Sequence, residues 1–439
     1  MSAGGTPRHT VITRAAFVAM TLLLALSSAA QADQRLVIFG PSSWDTFAPG
    51  APEPVISTVT ASLDAGFRRQ HPEVTQIIHD SRGTVAEGLA RLRNAQFAGE
   101  QVDVIICAAN RVNTSFAARG LILPVDDLIA RLGDRFSVGA VGNFTLRGRV
   151  WAVPLSAVNV TTFFYNKGLF QRAGLAAPRT YAEFLAAAPR LRQLGVIPVV
   201  HQGKNAWMWP IYYMSALAQT TGNQPVAETE AILSGKARFT DPASLQALRL
   251  TRRWVTDGLL DPQSNELDED AMKSVFYSGR AAAFFSDSWD VADVAVTAPF
   301  PWGVFEFPQY SGVPGHSSAF GGAESGLCLS STSRQPALAA DYIAFAAGAA
   351  QAAQLLAPLA SPATSHREVP GAADPVSLTL RSYLPAVKFL DWMWPLELTD
   401  TIQRQVQDMM GGTVTPEQAA ARMQAKYDGM VASGFRYQP

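Results

Sequence analysis

Between Arg149 and Leu185 the hydrophobic rhythm of the chain changes three times. An apolar run rich in β-branched and aromatic residues, Val150 to Tyr165, has the composition of buried strand rather than of a surface helix. The turn Asn166-Lys167-Gly168 breaks that run, and a short helical stretch reaches Gly174. Pro178 and Thr180 then open a second helix, with Glu183 placed to close a capping box with Thr180. Short apolar runs of the same kind recur at 35–40 (RLVIFG), 102–107 (VDVIIC) and 196–201 (VIPVVH), separated by amphipathic stretches. Strands alternating with helices predict an α/β architecture with mainly parallel sheets. From Ala337 to Tyr427 the pattern is predominantly helical. Asp268, Glu269 and Asp270 precede the helical run AMKSVFYSG, where acidic side chains favour the positive end of the helix dipole. Their spacing is not that of a calcium loop.

The first 32 residues obey other rules. Arg8 and Arg14 precede an apolar core from Ala15 to Leu26, and Ala30-Gln31-Ala32 supplies a small-residue cleavage signal. The apolar core is short of the ~20 residues a membrane span needs, so a cleaved export leader is expected, with the mature chain starting at Asp33 in the periplasm. No cysteine stands at the cleavage point to carry a lipid. Some 400 remaining residues exceed one compact core, and two lobes are the natural expectation. Taking Arg8 and Arg14 from 35 basic residues, against 36 acidic ones, leaves a net charge of about −3. That balance gives no footprint for nucleic acid or an anionic membrane.

Motifs for enzymes are missing from the sequence. There is no G-x-S-x-G elbow, no H-E-x-x-H, no Cys/His quartet and no phosphate-cradling glycine loop. His71, His79, His201, His316 and His366 are scattered, and no cofactor is expected. Cys107 and Cys328, the only cysteines, each lie in an apolar run. An oxidising compartment would permit a bond between them, but the plainer reading is two buried small hydrophobes on neighbouring strands. Tryptophan stands out instead. Trp44, Trp207, Trp209, Trp289, Trp392 and Trp394 keep company with Pro, Asp, Asn and Ser, which are loop residues. Sugar recognition uses this mixture, because an indole covers the apolar face of a pyranose while polar side chains pair with its hydroxyls.

The segment 149–185 resembles the family 1 extracellular solute-binding proteins, the carbohydrate and glycerol-phosphate receptors of bacterial ABC importers. The likeness rests on its ordered Tyr-Asn-Lys, Phe, Ala-Gly and Pro-x-Thr-Tyr-x-Glu-Phe elements. It continues through residues 97–129 (FAGEQVDVII…GLILPVDDLI), 277–290 (YSGRAAAFFSDSWD), 320–345 (the Gly-Gly strand and Ala-rich helix) and 411–430 (GGTVTPEQAA…). The Pro-rich segment SSWDTFAPGAPEPV is longer than the family's first strand-to-helix loop. The resemblance implies a two-lobed, type II-like periplasmic binding protein fold with the ligand cleft between the lobes. Crossovers are expected near Ser156–Asn159, Ser318–Gly321 and Thr364–Pro370. One lobe would hold residues 33–157 with about 319–365, the other 158–318 with about 366–439.

The same resemblance implies ligand-binding roles. Trp289 matches the position of a strand-end tryptophan that stacks on the ligand. Asn110 and Arg111 match a polar pair after the strand at 102–107. Asn159 lies at the first crossing, Gly322 and Glu324 at the second. Trp207 and Trp209 match an aromatic segment facing the cleft, one of the two being core. Trp44, Asp45, Arg82, Lys204, Asp290 and Trp394 complete the candidate site, with no catalytic or metal role. A monomer that closes on a carbohydrate and presents it to permease subunits with cytoplasmic ATPase partners is expected. Two alternatives remain open. An anionic solute such as glycerol phosphate or a uronate would use Arg82, Arg111 and Lys204. A secreted carbohydrate-active enzyme would need opposed carboxylates about 5–10 Å apart, to be found among Asp45, Asp80, Asp290, Glu324 and Asp391.

Overall fold

The structure, a computed structural model, describes Met1 and residues 34–40, 53–80, 85–109, 116–117, 119–310, 321–323, 325–357, 361–384 and 393–437. The expected leader lies outside the described residues, as do Trp44, Asp45, Arg82, Asn110, Arg111 and Glu324.

Fourteen strands are described: β1 (Gln34–Phe39), β2 (Val74–Asp80), β3 (Val104–Ala108), β4 (Ile122–Leu123), β5 (Thr145–Leu146), β6 (Arg149–Val150), β7 (Val153–Pro154), β8 (Ala157–Asn166), β9 (Ile197–Val200), β10 (Ala281–Asp287), β11 (Trp302–Phe305), β12 (Gly321–Ala323), β13 (Ser325–Ser330) and β14 (Ala363–Thr364). Apart from the small β5–β6 ribbon they form two sheets, ordered β2-β1-β3-β13-β4 and β11-β8-β10-β9. The fold is two-lobed α/β, with one sheet in each lobe.

Side-chain alternation explains why each sheet is covered twice. In β1 and β3, Leu36, Ile38, Val104 and Ile106 point to one core, packed under the helices at Glu53–Gln70 and Pro336–Ala346. Phe39, Ile105 and Cys107 point to the other, with Leu92 and Phe144. In the second lobe Phe163, Val199 and Phe285 face a large core shared with the helices at Tyr181–Gln193, Pro210–Thr220, Pro242–Thr256, Leu396–Gly411 and Pro416–Ala432. Phe164, Val200 and Phe284 face the opposite way, toward Met272, Phe276 and Leu380. Strands buried on both faces read as continuous apolar runs, which is how they appear in the sequence.

The capping box forms as expected. Thr180 Oγ1 accepts from Glu183 N at 3.2 Å, and Glu183 Oε2 accepts from Thr180 N at 3.2 Å. Asp268 is the N-cap of the helix Glu269–Tyr277, accepting from Ala271 N at 3.1 Å. The run from Val150 to Tyr165 becomes β7 and β8, preceded by the end of β6.

Two expectations are corrected. Parallel pairing holds for β2-β1-β3 and for β9-β10, but β8 is antiparallel to β10, β11, β12 and β14, and β13 to β3, β4 and β7. The reason is the traffic between lobes: β12, β13 and β14 reach their partners from crossovers rather than from βαβ units. Cys107 and Cys328 are also joined as a disulfide, with Cα atoms 6.1 Å apart, and are not two separate thiols. In the β3–β13 register Cys107 opposes Gly326 and Ile105 opposes Cys328, so both sulfurs point to the same face.

The chain passes between lobes at Leu155–Ser156 and again at Ala323–Ser325, where β12 ends against β8 and β13 enters the first sheet. In the third passage β14 pairs with Ala157 and Val158 of β8, His366 bridges to Phe136, and Val369 packs in the first lobe while Leu380 packs in the second. One strand, β8, thus carries both short crossover strands along its first residues.

Candidate functional site

Strands β9 and β10 are parallel, so the segments that follow them leave the second sheet at one edge, where antiparallel β8 begins. Ligands of α/β sheets bind outside such strand ends. After β9 comes the turn 203–209, with Trp207, and after β10 the single helical turn Ser288–Asp290, with Trp289. Their indole rings meet at 6.0 Å between centroids, tilted by 49°. Trp207 is 46% exposed, and Trp289 is half-buried with one side against the core.

Trp289 is held through its neighbours. Asp287, the last residue of β10, caps the turn by accepting from the Ser288 backbone N–H. Ser288 Oγ accepts from Val160 N at 3.1 Å and lies 3.3 Å from Asn159 Oδ1. Asn159 is buried at the start of β8 and pairs with Gly322 of β12. The two crossing glycines have φ of 145° and 122°, and a Cβ on Gly321 would run into the Asn159 carbonyl oxygen. Asn159 pairs with Gly322, Ser288 ties Asn159 to the turn that bears Trp289, and Trp289 meets Trp207.

Asp290, on the far side of the same turn, is 2% exposed. Its Oδ1 is 2.6 Å from Lys273 Nζ, and its Oδ2 accepts from Ser286 Oγ at 2.5 Å. The same ammonium lies 2.7 Å from Glu269 and 3.2 Å from Asp293, and Asp293 also accepts from Tyr277 OH at 2.8 Å. Burial pushes the Asp290 carboxyl up to about 6, even though the adjacent lysine pulls the other way. Burial opposes the Lys273 charge, but the Asp290 and Glu269 carboxylates outweigh it and raise that group above the ordinary lysine value.

The remaining candidates stand apart. Trp209 is 1% exposed, and its Nε1 donates to Gly203 O at 3.0 Å and to Asn265 Oδ1 at 2.7 Å, so the core claims it. Trp394 is also core, packed 5.3 Å from the Phe239 ring. A bulky indole with a reachable acceptor is worth more inside than on a loop. Lys204 is exposed and paired with Asp268 at 3.2 Å. The carboxylate of Asp290 is committed to Lys273 and Ser286, and so is not a free acid or base. Among the described residues no group of three or more His, Cys, Asp or Glu could hold a metal ion, and no helix is long and apolar enough to cross a membrane. A hollow of about 130 Å³ on the first lobe is lined by Ser62, Gly66, Arg69, Phe345 and Gln351, none of them a candidate.

Sequence reasoning missed Ser288 and Lys273. Ser288 carries no signal beyond standing next to Trp289. Lys273 follows Glu269 by four residues, which on its own describes a solvated helix pair.

The model of the bacterial extracellular solute-binding protein family matches residues 50–353. Over 298 residues the chain is 23% identical to the maltodextrin-binding protein MdxE of Bacillus subtilis, covering 66% of each chain. Over 176 residues it is 26% identical to the multiple sugar-binding protein of Streptococcus mutans, covering 38% of this chain and 40% of that one. Alignment with these curated relatives thus spans from two fifths to two thirds of their length. Among solved structures, a chitin oligosaccharide binding protein superposes with a TM-score of 0.73 at 22% identity, covering 91% of this chain and 99% of that one. UgpB from Mycobacterium tuberculosis in complex with glycerophosphocholine superposes with a TM-score of 0.70 at 20% identity, covering 91% and 98%.

Proposed function

The chain belongs to the bacterial extracellular solute-binding protein family, and from that membership we propose that it captures a carbohydrate between its two lobes and delivers it to an ABC importer. The observation that carries the reading is the Trp207–Trp289 pair at the strand ends of the second sheet. Two indoles, one half exposed and one anchored, offer apolar faces to sugar rings, with Asn159 and the backbone of Gly322 beside them as polar partners. Trp44, Asp45, Arg82, Asn110, Arg111 and Glu324, which lie outside the described residues, would supply the opposite wall in this reading. Trp209 and Trp394 are omitted from the proposed site because the core holds them. No step of chemistry is assigned, and the protein acts as a receptor. Closure follows from contacts that the ligand makes only when both lobes meet it. In this reading the segment from Arg8 to Ala32 exports the chain to the periplasm, and permease subunits with their ATPases are the partners.

A thermal-shift and calorimetry panel tests the proposal with maltotriose, a chitin trisaccharide, raffinose and glycerophosphocholine. A sugar should stabilise the protein and be recovered unchanged by chromatography. A sugar ring covering roughly a third of a ~250 Å² indole contributes about 2 kcal/mol at ~25 cal/mol per Å². Trp289→Ala should therefore bind about 30-fold more weakly while remaining folded. Stabilisation by glycerophosphocholine alone would move the reading to a phosphodiester solute, and normal sugar binding by Trp289→Ala would remove the platform.

A further inference from the structure

Lys273 sits where one charge controls the geometry of the platform. Its side chain rises from the helix Glu269–Tyr277, sixteen residues before Trp289 in sequence, and reaches under the turn that bears the indole. The ammonium touches one carboxylate on its own helix (Glu269, 2.7 Å), one in the turn (Asp290, 2.6 Å) and one on the helix Val291–Thr297 that follows (Asp293, 3.2 Å). Asp290 is the residue after Trp289, and its other oxygen is fixed by Ser286 of β10 at 2.5 Å. The opposite side of the turn is pinned by Ser288 to β8. The turn is thereby clamped from two directions, and among the described residues Lys273 is the only clamp with a positive charge. Without it, three carboxylates would face one another with no cation of the described residues between them, and the turn would have to shift to bring Asp290 toward water.

We infer that Lys273 is a positioning residue for ligand capture: it fixes the Ser288–Asp290 turn and, through it, the angle between Trp289 and Trp207. The inference rests on the proposed sugar reading for its purpose, but its geometry can be tested without any ligand. Two indoles 6.0 Å apart and 49° from parallel should couple in ultraviolet circular dichroism. That band is identified in the full mature protein as the signal lost in both Trp207→Ala and Trp289→Ala.

In Lys273→Met the band should fall below half its wild-type amplitude while a cooperative thermal transition persists. Lys273→Met/Asp290→Asn, which removes both charges of the turn contact, should restore most of it. A wild-type band in Lys273→Met overturns the inference. So does a double variant no better than the single one, since simple loss of packing would give that result. Should Lys273→Met fail to fold, Asp290→Ala, which leaves the ammonium balanced by Glu269 and Asp293, must show the same loss of the band. An unchanged band there overturns the inference equally. A parallel titration with maltotriose separates the two readings. A wild-type protein that binds no sugar defeats the proposed function, while the dichroism still decides the role of Lys273.

Discussion

At the scale of single residues, the two partners of the buried ion pair are not equivalent. Lys273 answers three carboxylates, whereas Asp290 is one of three that answer Lys273. Lys273→Met leaves a buried negative charge uncompensated and should cost about 3–5 kcal/mol in denaturant unfolding, whereas Asp290→Asn should be neutral to within about 1 kcal/mol. The pH dependence has the same origin. Burial raises Asp290 from the ordinary 3.8 to about 6, so the folded state takes up a proton before the unfolded state does. This group therefore adds stability as pH falls from about 6 to about 4, and that contribution disappears as pH rises through 6. The melting-temperature gap between wild type and Asp290→Asn should accordingly favour wild type more at pH 4.5 than at pH 7.5; a gap moving the other way contradicts the assignment. That Trp289 stands on a turn was legible because its polar neighbours mark a loop, but the same signal misplaced Trp209 and Trp394, which the core holds. Lys273 was not legible, because its charge partners are brought together by the packing of β10 against two helices, which no local pattern encodes.

Elements were easier to read than their partners. Apolar runs at 35–40, 102–107 and 196–201 became β1, β3 and β9, because a strand buried on both faces needs a continuous hydrophobic stretch. Helix starts were legible for a local reason too, since capping chemistry involves residues only three apart. At the last helix Thr415 Oγ1 accepts from Gln418 N at 3.2 Å, and Gln418 Oε1 accepts from Thr415 N at 2.9 Å. Thr415→Ala should lower stability by about 1 kcal/mol, measured by urea unfolding. Strand direction was illegible, as alternation looks the same in either sense; the antiparallel company of β8 follows from crossovers far apart in sequence. The Gly321-Gly322 pair was the visible trace of one crossover. With φ of 145° and the Asn159 carbonyl against the Cβ position, Gly321→Ala should cost at least about 1–3 kcal/mol, and sugar affinity should fall with it. Unchanged thermal stability in that variant would mean that β12 can leave β8 at no cost.

For the whole molecule, three passages among the described residues tie the two lobes, and the first lobe is stapled within itself. The Cys107–Cys328 bond closes a separation of 221 residues, and Cys328→Ala should destabilise the protein by roughly 2–5 kcal/mol. The loss should be read as earlier melting of the first lobe, by hydrogen exchange in β1 and β3. Small-angle scattering should give a smaller radius of gyration with saturating sugar than without; an equal radius would place the ligand on one lobe. The place of β13 also governs the order of assembly. It lies between β3 and β4, so the sheet that the chain begins first lacks an inner strand until residue 330 is available. The four main strands of the other sheet are all complete by Phe305. A chain emerging from its N-terminus, from a ribosome or a translocation channel, thus holds an unsealed first sheet and an unpaired Cys107 while the strands of its second sheet are already in hand. The main strands of the sheet begun first are completed last, and a thiol label applied during vectorial synthesis would find Cys107 open until β13 arrives.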